Sequence, residues 1–221
     1  MFRSAFILVI QLLPATLVIF GGWGFDGLTG FLANPARGGL AIATLAAGVA
    51  GIVFAIDFNP LRRGTSPAGS ETFQLGALLL LSPALLWFLP FADRRGILTF
   101  QSDYWRYLGL LLCCIGISVR LLALRTLGKY FSAYVTLQPD HRLIQHGVYA
   151  VVRHPLYLSL LLAPTGIALV FASWLALPIL LLAAAFVFDR IRKEERLLAN
   201  HFTAEFAVYR RQTWRLIPLV F

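Results

Sequence analysis

Apolar residues in this chain fall in long charge-free intervals, each bounded by an ionisable side chain. Ser4–Phe25 lies between Arg3 and Asp26, Gly38–Ile56 between Arg37 and Asp57, and Thr72–Ala92 between Glu71 and Asp93. Each is close to the roughly 20 apolar residues that a helix rising about 1.5 Å per residue needs to cross a bilayer. Tyr107–Val119 is shorter, but the long side chain of Arg120 can reach outward to the interface, and Leu121–Leu124 extend the segment to a fourth span. The first segment starts with a positive charge and has no small-residue cleavage site after it, so it reads as a retained signal-anchor. His154–Phe188 carries no formal charge over 35 residues, too many for one span. Pro164, Gly166, Ser173, Trp174 and Pro178 interrupt it, which predicts a helical hairpin turning near Ala172–Trp174.

Composition agrees with this pattern. Of 221 residues, 59% are apolar and 13% charged, against roughly 45–50% and 25% in an ordinary soluble domain. The expectation is one compact all-α integral membrane domain: four N-terminal transmembrane helices in residues 1–124, then a C-terminal region, residues 125–221, that contains the hairpin 154–188. The chain is basic, with 19 Lys and Arg against 10 Asp and Glu. With both termini cytoplasmic, fifteen basic residues fall inside, and only Arg37, Arg94, Arg95 and Arg106 fall in the outside loops. That asymmetry is the positive-inside pattern, so the excess reports orientation rather than nucleic-acid binding. The tail arginines then read as anchors for anionic headgroups. Trp23, Trp105, Tyr107 and Trp214 near span ends read as interfacial aromatics. Adjacent Cys113 and Cys114 form no disulfide framework, and the four histidines show no metal-ligand spacing.

Polar chemistry collects in the C-terminal region. His141 to Tyr157 holds Gly147, which permits a tight turn, and Pro155, which suits the first turn of a helix. Arg153 and His154 would then form the hinge into the hairpin, at a helix N-terminus that favours an anion. Arg153 can add a bidentate grip on a carboxylate. After the hairpin, Asp189–Phe202 reads as a helix leaving the membrane. Glu194 and Glu195 on it point about 100° apart, so only one can face a given pocket. Because a hairpin returns the chain to its starting side, the two clusters would frame one cleft, with a cation on one wall and a carboxylate on the other. Such a cleft suits a zwitterionic ligand. Arg190 and Glu194, four residues apart, could equally form an exposed helix salt bridge.

Gly147-Val-Tyr149, Arg153-His-Pro-Leu-Tyr157 and Glu194-Glu195, followed by Leu198, Phe202, Tyr209 and Pro218, resemble the C-terminal signature of the isoprenylcysteine carboxyl methyltransferase family. The wider phospholipid methyltransferase group looks similar. The resemblance covers about Leu124–Pro218. It departs from the strictest pattern at Val148, where proline is frequent, and at Phe206, where tyrosine is common. It implies an integral membrane methyltransferase with a cytoplasmic pocket for S-adenosyl-L-methionine, no Rossmann domain, and a lipophilic or lipid-linked acceptor. By matching position, the resemblance implies that His141, Leu143, Ile144, Gly147 and Tyr149 line the adenosine side and that His154, Pro155 and Tyr157 sit close to the cofactor. Glu195 or Glu194 would hold its ammonium, and Arg153 would grip a carboxylate of cofactor or acceptor. Catalytic duties then fall to Arg153, His154 and Glu195.

Two other classes compete. Membrane sterol-type reductases that use NADPH share a related Arg-(His/Lys)-Pro-x-Tyr ending, but usually place Asn where Leu156 stands and lack the Glu-Glu-x-x-Leu run. A transporter predicts ionisable groups near the bilayer midplane. Here the charges gather at the cytoplasmic edge instead.

Overall fold

The computed structural model describes residues 18–53, 85–100, 102–131 and 142–219. Most of the predicted spans Ser4–Phe25 and Thr72–Ala92 lie outside these residues, as do Asp57 and His141. Within them the chain is all-α, with four longer helices: α1 (Pro35–Val53), α2 (Asp103–Leu127), α3 (Pro155–Val170) and α4 (Ala176–Gln212). Residues 18–23 and 85–95 are also helical. No β-sheet occurs among the described residues, only isolated bridges at Thr99–Ser173 and Val152–Trp214. Of the described helices, α2 is long and apolar enough to cross a membrane; α3 is a shorter apolar helix.

α2 and α3 pack at backbone distance. A Cβ on Gly109 would stand 2.6 Å from the Gly166 carbonyl oxygen, and one on Gly166 would stand 2.5 Å from the Cys113 nitrogen. One turn further along, a Cβ on Gly116 would meet the Ala163 nitrogen at 2.7 Å. Small residues at these points allow the two helix backbones to touch, a common basis of helix association where lipid removes the hydrophobic drive.

The interval 154–188 is two helices, α3 and the start of α4, joined by residues 171–175. The joint is pinned to a neighbouring loop: Phe100 N–H donates to Ala172 O at 2.9 Å, and Trp174 N–H to Leu98 O at 2.9 Å. Beyond the apolar stretch, α4 continues into the polar tail and bends at Phe202, whose backbone leaves helical geometry (φ −107°, ψ 19°). Leu216, beyond α4, returns to pack on Val187 and Ile191, with Tyr157, Leu158 and Leu161 of α3 alongside.

Two readings of individual residues change here. Arg106 is no exposed loop residue: it is buried in the first turn of α2, so that helix begins at Asp103 rather than Tyr107. Its guanidinium grips both oxygens of Asp93 at 2.7 and 2.9 Å and donates to Val170 O at 2.6 Å. Arg37 adds a third bond to Asp93 at 2.8 Å. A buried arginine is tolerated when its charge is paired and its donors are used, which a count of charges along the chain cannot register. Trp23 likewise is buried rather than interfacial, edge-on to Phe31 and under the Arg37 guanidinium.

Candidate active site

The end of the fold opposite Asp93 gathers the C-terminus of α2, the N-terminus of α3, the middle of α4 and the segment after it. Gly147 starts a 3-10 turn, Gly147–Ala150, with φ +60°, and packs against Thr126 of α2. A side chain there would be strained in this left-handed conformation and would crowd the Thr126 hydroxyl. Tyr149 is buried, and its carbonyl accepts a hydrogen bond from the Tyr209 hydroxyl at 2.7 Å. Leu143 and Ile144 are half-buried in the irregular segment before this turn. Pro155 occupies the first position of α3, where its missing N–H costs nothing. His154 just before it is buried, with its ring centroid 5.7 Å from that of Tyr157.

The segment after α4 runs beside this entry. Arg153 N–H donates to Trp214 O at 2.8 Å, His154 N–H to Arg215 O at 3.2 Å, and Trp214 N–H to Val151 O at 3.0 Å. These bonds tie the chain end to the Arg-His-Pro hinge.

Glu194 and Glu195 face different neighbours, as their spacing requires. Glu195 is buried in a cationic ring. Arg215 grips it with Nη2 to Oε2 at 2.6 Å and Nε to Oε1 at 3.1 Å. Arg153 Nε and His154 Nε2 each lie 3.3 Å from Oε1. Burial opposes ionisation of Glu195, but the bonds from His154 and Arg215 and their positive charge outweigh it, lowering the carboxyl to about 2. Arg153 is spent on the same structure: Nη1 donates to the carbonyls of Thr213 and Arg210, the latter at 3.0 Å.

Glu194 belongs to a second group. The charges of Glu194 and Arg190 both act on the buried Tyr157 hydroxyl. The Tyr149 hydroxyl is held well above its ordinary range by burial first, then by the Glu194 charge. Burial also raises Tyr209, with Glu194 adding to it against the Arg153 charge. One carboxylate therefore acts on three tyrosines. An exposed salt bridge between Arg190 and Glu194 does not describe this geometry, because Arg190 is buried; the exposed i,i+4 pair on α4 is Asp189–Lys193 at 2.7 Å.

Arg215 and Thr213 were not singled out by sequence reasoning. Arg215 counted as one more tail arginine, and no local pattern pairs it with a glutamate twenty residues earlier. Among the described residues no group of His, Cys, Asp and Glu is placed to hold a metal ion.

Comparison with known proteins falls on the same part of the chain. Residues 108–200 match the model of the isoprenylcysteine carboxyl methyltransferase family. A protein-S-isoprenylcysteine O-methyltransferase of Saccharomyces cerevisiae is 36% identical over 116 residues, 51% of this chain and 48% of the relative. A probable protein-S-isoprenylcysteine O-methyltransferase of Oryza sativa subsp. indica is 31% identical over 124 residues, 54% of this chain and 65% of the relative. The cobalt-zinc-cadmium resistance protein CzcN of Cupriavidus metallidurans is 36% identical over 98 residues, 43% of this chain and 45% of the relative. The chain spans about half the length of the curated relatives it matches, 48% of the yeast protein and 41% of a protein-S-isoprenylcysteine O-methyltransferase of Tribolium castaneum. Over residues 108–200 it is homologous to the isoprenylcysteine carboxyl methyltransferase family.

Proposed function

We propose, from this homology and from the grouping of Glu194 with three tyrosines, that the protein is an integral membrane methyltransferase. In this reading it uses S-adenosyl-L-methionine and acts on a lipophilic or lipid-linked acceptor resembling a prenylated cysteine carboxylate. The single observation that carries the choice of site is the division of labour between the two glutamates. Both oxygens of Glu195 are engaged by cations, whereas among the described residues no arginine grips Glu194 in this way and its charge is felt by the Tyr149, Tyr157 and Tyr209 hydroxyls.

The residues suit the group. Glu194 supplies the charge for an ammonium, and tyrosine rings stabilise a sulfonium by cation–π contact. Gly147 lets the backbone approach a ligand closely, with Leu143, Ile144 and Tyr149 beside it and His141 preceding them in the chain. When bound, S-adenosyl-L-methionine supplies an electrophilic methyl group. The protein's part is alignment and exclusion of water, which provide most of the rate in an in-line displacement. The Tyr209 hydroxyl donates to the Tyr149 carbonyl and holds that turn, and the buried Tyr149 hydroxyl is a protonated donor at neutral pH. A carboxylate acceptor needs no general base. Arg153, His154 and Glu195 act in this reading as positioning residues: they fasten the segment after α4 across the hinge, and Pro155 and Tyr157 follow directly.

The same proposal includes a multi-pass topology with both termini and the pocket on the cytoplasmic side. Arg37, Arg94 and Arg106 lie at one end of the bundle with the α3–α4 turn, and the glutamate clusters lie at the other, which supports it. The test is transfer of a labelled methyl group from S-adenosyl-L-methionine to an S-prenylated cysteine with a free carboxylate. Incorporation as a base-labile ester supports the proposal; no transfer to that acceptor, a phospholipid amine or a lipophilic thiol overturns it.

A further inference from the structure

α4 carries a second feature, which shares only Glu195 and Arg215 with the site described above. Arg192, Arg196, Ala199, Thr203 and Phe206 recur every three or four residues along the helix and line an open groove of about 650 Å³. Arg210 and Arg211 extend it past the bend at Phe202, and Arg215 closes it. Five arginines thus face a single carboxylate, Glu195, which is already committed to Arg153, His154 and Arg215. Arg192, Arg196, Arg210 and Arg211 are exposed, and among the described residues no carboxylate pairs with them. Four like charges around one groove repel one another unless an anion enters.

Arg215, at one end of the groove, has exposed apolar residues on both sides of it in the chain. Trp214, Ile217 and Leu219 flank Arg215 in the chain and are 41%, 49% and 84% exposed. Leu216 between them is anchored on Val187 and Ile191, where the apolar part of α4 ends. The arginines therefore begin within about one helical turn of the end of the hydrophobic stretch, the depth of lipid phosphates. A soluble anion would use the arginines and leave the apolar side chains in water; a lipid uses both.

We propose that this groove binds the phosphate of an anionic phospholipid, with its acyl chains against Trp214, Ile217 and Leu219. The inference rests on the apolar start of α4 lying in the bilayer and is independent of the methyltransferase reading. The full chain, in micelles doped with equal phosphatidylglycerol and phosphatidylcholine, is released into native mass spectrometry. Selective retention of phosphatidylglycerol is expected, resistant to millimolar inorganic phosphate and to polyglutamate. Arg192→Gln/Arg196→Gln and Arg210→Gln/Arg211→Gln, on the two halves of the groove, should each lower retention about tenfold. Arg95→Gln/Arg142→Gln, which removes the same charge elsewhere, should retain it. Each variant is first checked for a wild-type unfolding temperature, and the two groove variants test the site separately. Equal retention of both lipids, or wild-type selectivity in both groove variants, overturns the proposal. So does displacement by inorganic phosphate, which marks a free-anion site, or by polyglutamate, which marks an acidic-peptide site. Equal loss in the control variant reduces it to net charge and overturns it as well.

Discussion

Arg215 and Glu195 form a two-point ion pair, Nη2 to Oε2 at 2.6 Å and Nε to Oε1 at 3.1 Å, that ties the segment after α4 to the middle of that helix. With Arg153 and His154 on the same carboxylate, the pair closes a ring around the entry to α3. Removing Glu195 leaves two buried or half-buried guanidiniums without their counter-charge. Glu195→Gln should destabilise the protein by about 2–3 kcal/mol, less than a fully buried pair because Arg215 is partly solvated. Thermal unfolding of the detergent-solubilised chain measures this.

The same ring sets an acid limit. The folded carboxyl of Glu195 titrates at about 2, below its ordinary value of 4.5. A carboxyl lowered on folding contributes stability above its unfolded value, and that stability is lost as pH falls toward the folded one. Unfolding temperature should therefore drop as pH falls from about 4.5 toward 2. The loss attributable to Glu195 is on the order of 2 kcal/mol after solvent screening. In Glu195→Gln that part of the acid limb should flatten; an unchanged limb would show that other groups set it.

Glu194→Gln should behave in the opposite way. Among the described residues its carboxylate is held by no two-point arginine grip, so the unfolding temperature should fall less than in Glu195→Gln. Affinity for S-adenosylhomocysteine should fall by at least about tenfold, the value of a charged hydrogen bond. Parallel calorimetric titrations of Glu194→Gln and Glu195→Gln, both scaled to folded protein, separate the two roles.

Tyr209→Phe removes the hydroxyl that donates to the Tyr149 carbonyl and leaves that acceptor buried. A cost of about 1 kcal/mol in stability is expected. Cofactor affinity should weaken as Tyr149 loses its tether, and the two effects are read from unfolding and titration of the same preparation.

Gly166→Ala tests the packing that sets α2 against α3. Its Cβ would fall 2.5 Å from backbone atoms of Gly109 and Cys113, which cannot move as a flexible side chain would. Destabilisation by about 1–3 kcal/mol is expected from thermal unfolding.

Part of this architecture is legible in residue order because burial of charge is costly: the intervals Gly38–Ile56 and Tyr107–Val119 fall largely on α1 and α2, and Pro155 marked the start of α3. The Arg-His-Pro hinge and the Glu-Glu pair were visible because Gly147, Arg153 and Glu194 have distinct chemistry at short spacing. What was not legible depended on contacts between distant positions. Arg106 reads as a loop charge until Asp93 is beside it. Arg215 reads as a tail cation until the segment after α4 turns back on the hinge. That Glu195, and not Glu194, turns toward Arg215 follows from helix rotation relative to α3, which spacing alone leaves open. His141, the first residue of the matched motif, lies outside the described residues, so its place in the pocket stands as a proposal.

The most direct measurement is calorimetric titration of the full, detergent-solubilised chain with S-adenosylhomocysteine and, separately, with NADPH. A methyltransferase built on Glu194 and its tyrosines should bind S-adenosylhomocysteine at one site and not bind NADPH. Binding of NADPH with no heat from S-adenosylhomocysteine would contradict it and return the site to the reductase reading.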